Sequence, residues 1–176
     1  MNLRYRSTGR TIFLSALILL LGCTQTGSQQ PAIPGNPAPA FSLRDTESSP
    51  VALTDFSGKA IVLDFWATWC GPCKDAMTEL EALHRAYQDK GVVVIGISVN
   101  KESDATARVK AFAGKHGMTY RLLIDDGSAY KAYGITRIPA TVIIDRSHLI
   151  RTTYPGFRPG IGKEIAADID GILAAR

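Results

Sequence analysis

The chain predicts an α/β domain built on a mixed central sheet with helices on both faces. Three observations lead there. Ala60 to Ala67 (AIVLDFWA) and Val92 to Val99 (VVVIGISV) are almost unbroken apolar runs rich in β-branched residues, the pattern of strands covered on both sides. Segments of helical spacing alternate with strands through the first part of the domain. Two strands joined by a tight DRS turn come late and bring antiparallel pairing into the sheet.

Each element has its own reason. Phe41 to Leu43 and Val51 to Leu53 are short alternating segments separated by the polar DTESSP, which predicts a leading β-hairpin. After the strand Ala60 to Ala67, a helix is expected over Asp75 to Lys90. Met77, Leu80, Leu83, Ala86 and Tyr87 recur there at helical spacing, and Gly91 stops it. The strand Val92 to Val99 follows, then a helix from Ser103 to His116 with Ala107, Val109, Phe112 and Ala113 on its apolar side, ended by Gly117. YRLLID is a third strand, and Ser128 to Tyr133 is a short helix ahead of Gly134. ATVIID and HLIRTTY form the late hairpin, and Gly160 to Ala175 the last helix. There is no internal repeat.

The first residues read as an export signal. Met1 to Arg10 carry Arg4, Arg6 and Arg10 and no acid, and the apolar run Thr11 to Leu21 follows. A bilayer-spanning helix needs roughly 20 apolar residues, so the run is too short for an ordinary anchor. It ends in LLGC, Leu20 to Cys23, which resembles the lipobox of bacterial lipoproteins. That resemblance implies cleavage before Cys23 and acylation of its sulfur. The plainer alternative is an ordinary cleaved signal with a stray cysteine nearby. Thr24 stands where aspartate marks inner-membrane retention in enteric bacteria, a hint toward the outer membrane. Three units are therefore expected: a signal at 1–22, a lipidated N-terminus and flexible tether rich in proline and glycine at 23–39, and the folded domain at 40–176. The signal holds three of the 20 basic residues and none of the 16 acidic ones, so the mature chain is nearly neutral at +1. The basic balance of the whole chain belongs to the signal and gives no reason to expect nucleic-acid binding.

Cys70 and Cys73, in FWATWCGPCKD, are the chemical centre of the sequence. A C-x-x-C pair is open to three readings: half of a zinc site, a structural disulfide or a redox couple. A cysteine-based zinc site needs four ligands, and His84, His116 and His148 lie at wide intervals without ligand spacing. No metal or cofactor is called for. A disulfide closing two intervening residues gains little from loop closure, because that gain grows with loop length. The redox reading remains.

LDFWATWCGPCK closely resembles the active-site segment of thioredoxin, and YGITRIPAT, Tyr133 to Thr141, resembles its cis-proline segment. Together with the leading hairpin, an extra strand–helix unit over Val92 to His116 and the lipobox, the chain looks like a membrane-tethered, extracytoplasmic thioredoxin-like protein of the TlpA/ResA type, with redoxin-like features. The resemblance spans roughly Asn36 to Arg176. It implies the thioredoxin fold and thiol–disulfide exchange on protein disulfides. It also implies a membrane electron donor and a place on the periplasmic side, tethered to the bilayer through Cys23.

The residues themselves suggest how such exchange would run. Cys70 follows a strand and opens a helix, whose first N–H groups lack internal partners and stabilise a thiolate there below the free thiol value of roughly 8.5. Pro72 fits the first helical turn. Cys73 lies one turn in, buried and protonated until a mixed disulfide forms, so Cys70 attacks and Cys73 resolves. Asp64 sits six residues before Cys70, where thioredoxin carries a buried aspartate; by that resemblance it exchanges the Cys73 proton. The alternative is a strand-edge aspartate bonding backbone amides. Pro139 matches the cis-proline, leaving Ile138 to pair with an extended substrate strand; the alternative is a trans proline opening a strand. Trp69, Gly71, Pro72 and Arg137 complete the expected substrate surface, with a solvated charge the alternative for Arg137. Trp66 is equally a rim or a core residue.

Two departures from the family pattern bear on this. Ala76 stands where a glutamate is common, and Thr78 where a helix proline is common, which puts any narrow assignment to cytochrome c maturation in doubt. Gly71-Pro72 and Ile138 match thioredoxin and favour a reductant, near roughly −270 mV against roughly −120 mV for the oxidant DsbA. Two rivals stand beside the oxidoreductase. One is a thiol peroxidase, for which Thr68 lies two before Cys70. The other is a copper chaperone using both thiolates as soft ligands.

Overall fold

The computed structural model describes residues 32–175. The expected signal at 1–22 and the acylation site at Cys23 lie outside these residues. Seven strands form one mixed sheet: β1 (Ser42–Asp45), β2 (Pro50–Ala52), β3 (Ala60–Trp66), β4 (Val92–Ser98), β5 (Arg121–Ile124), β6 (Ala140–Ile144) and β7 (Ile150–Pro155). Their order across the sheet is β2-β1-β5-β4-β3-β6-β7. β3, β4 and β5 are parallel; β6 runs antiparallel to β3, and β7 to β6. The leading hairpin attaches through β1 to the outer edge of β5, antiparallel. Four helices complete the fold: α1 (Gly71–Tyr87), α2 (Ala105–His116), α3 (Ser128–Ala132) and α4 (Ile161–Ala174).

Strand alternation divides the core into two layers. Ala60, Val62 and Trp66 of β3 pack with residues of α1, α2 and α4, including Cys73, Leu80, Val109 and Ile165. Ile61, Leu63 and Phe65 pack on the other face with Ala129 and Ala132 of α3 and with Leu43 and Val51 of the hairpin. β3 has neighbours on both edges and both faces, and every one of its residues is buried. Full burial of each branched side chain contributes about 1.5–3 kcal/mol, enough in sum to carry one costly polar residue in the same strand.

Helix α1 begins earlier than its apolar spacing alone indicates, at Gly71 rather than Asp75, because Cys70 serves as its N-cap. At its other end a single 3-10 turn, Gln88–Lys90, leads to Gly91 at φ 79°, a left-handed conformation that glycine adopts without strain. Gly96 on β4 is required for a different reason. A Cβ there would stand 2.8 Å from Leu122 Cδ2 and 2.9 Å from Trp66 Nε1, so the bare backbone makes room for side chains from both neighbouring strands.

Part of the expected tether, residues 32–38, makes hydrogen bonds to the domain. Ala32 donates to the Tyr133 carbonyl at 3.1 Å, Gly35 to Ile150 at 2.8 Å and Ala38 to His148 at 2.8 Å, and the Thr153 hydroxyl donates to the Ala32 carbonyl at 3.1 Å. Residues 32–38 are therefore laid along the domain by backbone hydrogen bonds. Their proline- and glycine-rich composition offers little apolar surface, and these bonds do not need it.

Candidate functional site

The site lies at the carboxyl ends of β3 and β4, where open α/β sheets present their loops. β3 ends at Trp66, and the chain turns through Ala67, Thr68 and Trp69 into α1. The Cys70 N–H closes this turn on the Ala67 carbonyl at 3.1 Å. Cys70 holds extended N-cap dihedrals, and its Sγ accepts from the Cys73 N–H at 3.3 Å. A free helix-end donor thus points at the sulfur, as expected for a cysteine that opens a helix. Pro72 occupies the first turn and gives up no hydrogen bond there. Cys70 and Cys73 are joined as a disulfide. Cys73 is wholly buried, whereas Cys70 retains 6% exposure at the edge of the site.

The turn is clamped by a residue that sequence reading missed. Asn100, just beyond β4, is buried, and its Oδ1 accepts from the Thr68 N–H at 3.0 Å and from the Ser98 hydroxyl at 2.9 Å. Its Nδ2 donates to Thr68 Oγ1 at 2.9 Å and to Glu102 Oε2 at 3.0 Å. Thr68 is thereby committed to holding the loop. The only trace in sequence is a polar residue closing the apolar run VVVIGISV, which says nothing about a partner 32 positions earlier.

Asp64 is completely buried in the middle of β3 and is no edge residue. Alternation turns it the same way as Val62 and Trp66, into the layer that holds Cys73. Its cross-strand neighbours are Gly96 and Thr141. Thr141 Oγ1 donates to Oδ1 at 3.1 Å, while Oδ2 has no partner among the described residues. Burial raises its pKa from 3.8 to about 7, and the Thr141 bond opposes that only in part. A carboxyl poised there both takes and returns a proton near neutral pH.

The peptide bond Ile138–Pro139 is cis. Pro139 is buried and its carbonyl accepts from the Gly156 N–H at 2.8 Å; β6 begins only at Ala140, so Ile138 precedes the ladder. Ile138 is half-buried and packs against both core layers. Trp69 is 64% exposed, an unusual position for so large an apolar ring, whereas Trp66 is fully buried and tilted against Phe112 at 5.4 Å between centroids. Trp66 is therefore core. Trp69 borders a groove of about 580 Å3 with Val99, Tyr130, Lys101 and Lys131 in its lining. Gly71, Pro72 and Arg137 are exposed. Ala76, where a family glutamate would stand, is buried, and the described residues contain no group of three or more His, Cys, Asp or Glu side chains arranged to hold a metal ion.

Comparison with known proteins gives this geometry a context. The model of the AhpC/TSA family matches residues 34–153. The thiol-disulfide oxidoreductase ResA of Geobacillus thermodenitrificans is 32% identical over 161 residues, covering 89% of this chain and 91% of its own length. The thioredoxin-like protein YneN of Bacillus subtilis is also 32% identical, covering 88% and 94%. Among solved structures, a Chlorobium tepidum protein assigned as the thiol:disulfide interchange protein DsbE superposes with a TM-score of 0.75 at 27% identity, over 81% of this chain and 99% of that one. The shared architecture is the thioredoxin fold.

Proposed function

The chain belongs to the AhpC/TSA family of thioredoxin-like proteins and is a thiol–disulfide oxidoreductase, and from that premise we propose that it reduces disulfides of exported proteins through Cys70 and Cys73. The observation that carries the reading is the Cys70 sulfur capping α1 under the Cys73 N–H, with Cys73 itself sealed in the core. In the dithiol form, the Cys70 thiolate attacks a substrate disulfide. A Cys70–substrate disulfide forms, and the first substrate sulfur leaves as a thiolate and takes up a proton. Asp64 then accepts the Cys73 proton, and the Cys73 thiolate attacks Cys70 Sγ. The second substrate thiolate leaves and is protonated, and the Cys70–Cys73 disulfide remains. Two electrons have passed to the substrate, and a membrane electron donor restores the dithiol.

Substrate docking follows from the surroundings. An extended segment of the target pairs with the Ile138 backbone ahead of β6, beside Pro139, while Trp69 and Arg137 flank the approach and Gly71-Pro72 keeps the helix start open. The protein is exported and acylated at Cys23, with Thr24 favouring the outer over the inner membrane. Only eight residues, Thr24 to Pro31, then lie between Cys23 and Ala32, the first bonded residue among those described, a reach of at most about 30 Å. The targets are exported protein disulfides, with those of cytochrome c or copper-site assembly the narrower possibility.

Insulin reduction by dithiothreitol tests the activity: the chain accelerates it, Cys70→Ser abolishes the acceleration, and Cys73→Ser stalls as a mixed disulfide visible by mass spectrometry. A couple poised near the roughly −120 mV of DsbA would reverse the direction of flow. Peroxide consumption faster than disulfide reduction would favour the peroxidase instead, and stoichiometric Cu(I) capture without disulfide reduction the chaperone.

A further inference from the structure

Beside Asp64 the structure gathers polar atoms that core packing alone does not explain. Asp64 Oδ2, Trp66 Nε1 and the Tyr120 hydroxyl are all buried, and none has a hydrogen-bond partner among the described residues. All three belong to the layer under α1, α2 and α4. They meet around Gly96. Asp64 is the cross-strand neighbour of Gly96 on one side. The place a Cβ would take on Gly96 lies 2.9 Å from Trp66 Nε1 and 3.1 Å from Tyr120 Cε2. The missing side chain leaves room for the indole edge and the phenol ring against β4, at the position that pairs with Asp64.

The chemistry of the three atoms is complementary. An ionised carboxylate oxygen only accepts, an indole N–H only donates, and a phenol O–H donates as long as it is neutral. Burial, and secondarily the charge of Asp64, holds the Tyr120 hydroxyl far above its usual range, so it remains a donor at every working pH. Leaving a buried polar group unmatched is destabilising, and phenylalanine at 120 would fill the same space without that cost. Tyr120 is also held from behind. Glu81 accepts from the Thr119 N–H at 2.8 Å and from its hydroxyl at 2.6 Å, and His84 meets the Tyr120 ring edge-on at 6.1 Å.

We infer that Tyr120 and Trp66 are positioning residues for Asp64: their O–H and N–H, folded over Gly96, sustain the carboxylate charge in the interior until it accepts the Cys73 proton. None of the three atoms bonds another directly, and a buried water held between them carries the contact in a site polar on three sides. This rests on Asp64 acting as proton acceptor and adds what keeps it ionised. The other groups around Asp64 are Thr141 from β6 and Cys73 from α1, with Glu81 and His84 farther along α1 beyond Tyr120. α2 brings Phe112 with His116 stacked behind it. α4 turns Ile161, Ile165, Ile169 and Ile172 into this layer with Ala166 and Leu173 beside them, while its Asp168 is taken up by the Tyr154 hydroxyl. None of these supplies a donor to Oδ2.

The test uses the full chain and Tyr120→Phe, in two arms. In the disulfide form, where neither cysteine titrates, the Asp64 carboxyl is followed by carbon chemical shift against pH. Its midpoint should rise by about one pH unit or more, the order expected on losing one hydrogen bond to a charged carboxylate. In the second arm, the ascending limb of the pH profile for mixed-disulfide resolution should move to higher pH by the same amount. That is about a tenfold loss of rate per unit on the acid side, converging at high pH. Adding Tyr120→Phe to Asp64→Asn should change nothing further. An unmoved carbon midpoint in Tyr120→Phe overturns the inference whatever the kinetics do. A profile that Asp64→Asn leaves intact overturns instead the proton-acceptor role on which it rests.

Discussion

Replacing Asp64 with asparagine should stabilise the disulfide form of this protein at alkaline pH and leave it nearly unchanged in acid. In the folded state the carboxyl titrates at about 7 because it is buried, against 3.8 when unfolded. The folded state therefore holds the proton more tightly than the unfolded state, and stability falls as pH rises between those two values. Below 3.8 both states are protonated and nothing is lost. Above 7 the full gap of roughly three pKa units applies, at about 1.4 kcal/mol each, so the ionised carboxylate costs about 4 kcal/mol. Asparagine keeps an acceptor for the Thr141 hydroxyl and carries no charge, so it avoids that loss; its amide N–H, in place of Oδ2, gives back about 1–3 kcal/mol unless a partner is found. Guanidinium unfolding with the disulfide intact, at pH 3 and pH 8.5, measures both limits. The variant should gain on wild type between the two pH values by about 4 kcal/mol. A difference independent of pH would refute the placement of Asp64 as a buried, strongly perturbed acid.

Other perturbations test neighbouring parts of the site. In the dithiol form, Cys70 should alkylate faster than Cys73 with an apparent pKa below the roughly 8.5 of a free thiol, and a faster Cys73 would contradict the helix-cap geometry. Asn100→Ala removes both bonds to Thr68 and should cost about 1–3 kcal/mol by thermal unfolding while slowing reaction at Cys70, whereas an effect confined to stability would limit Asn100 to a packing role. Gly96→Ala places a Cβ against Leu122, Trp66 and Tyr120 and should cost about 1–3 kcal/mol through overpacking, read as a lowered Tm.

The elements with strong local signals were legible in the chain. β3 and β4 announce themselves as apolar runs, α1 and α2 by their spacing, and the late hairpin by its turn, because each signal is complete within about ten residues. The course of residues 32–38 was not legible. Residues 32–38 look like linker by composition, yet their backbone bonds to residues a hundred positions away hold them on the domain. Asn100 escaped notice for a similar reason, since its value lies in Thr68, on the neighbouring strand's exit.

The order of residues alone dictates that a cysteine pair follows a buried strand and opens a helix, that an aspartate interrupts that strand, and that a proline precedes a later strand. These are local facts, set by side-chain period and backbone preference. Lateral pairing is different: it depends on which distant segments share a sheet edge, and nothing within one strand encodes its neighbour. Only the folded sheet set Gly96 and Thr141 on either side of Asp64 and brought Tyr120 and Trp66 over the gap that Gly96 leaves. Burial between strands brought together from afar, rather than the residue's own chemistry, raises the Asp64 carboxyl to about 7 against the opposing Thr141 bond.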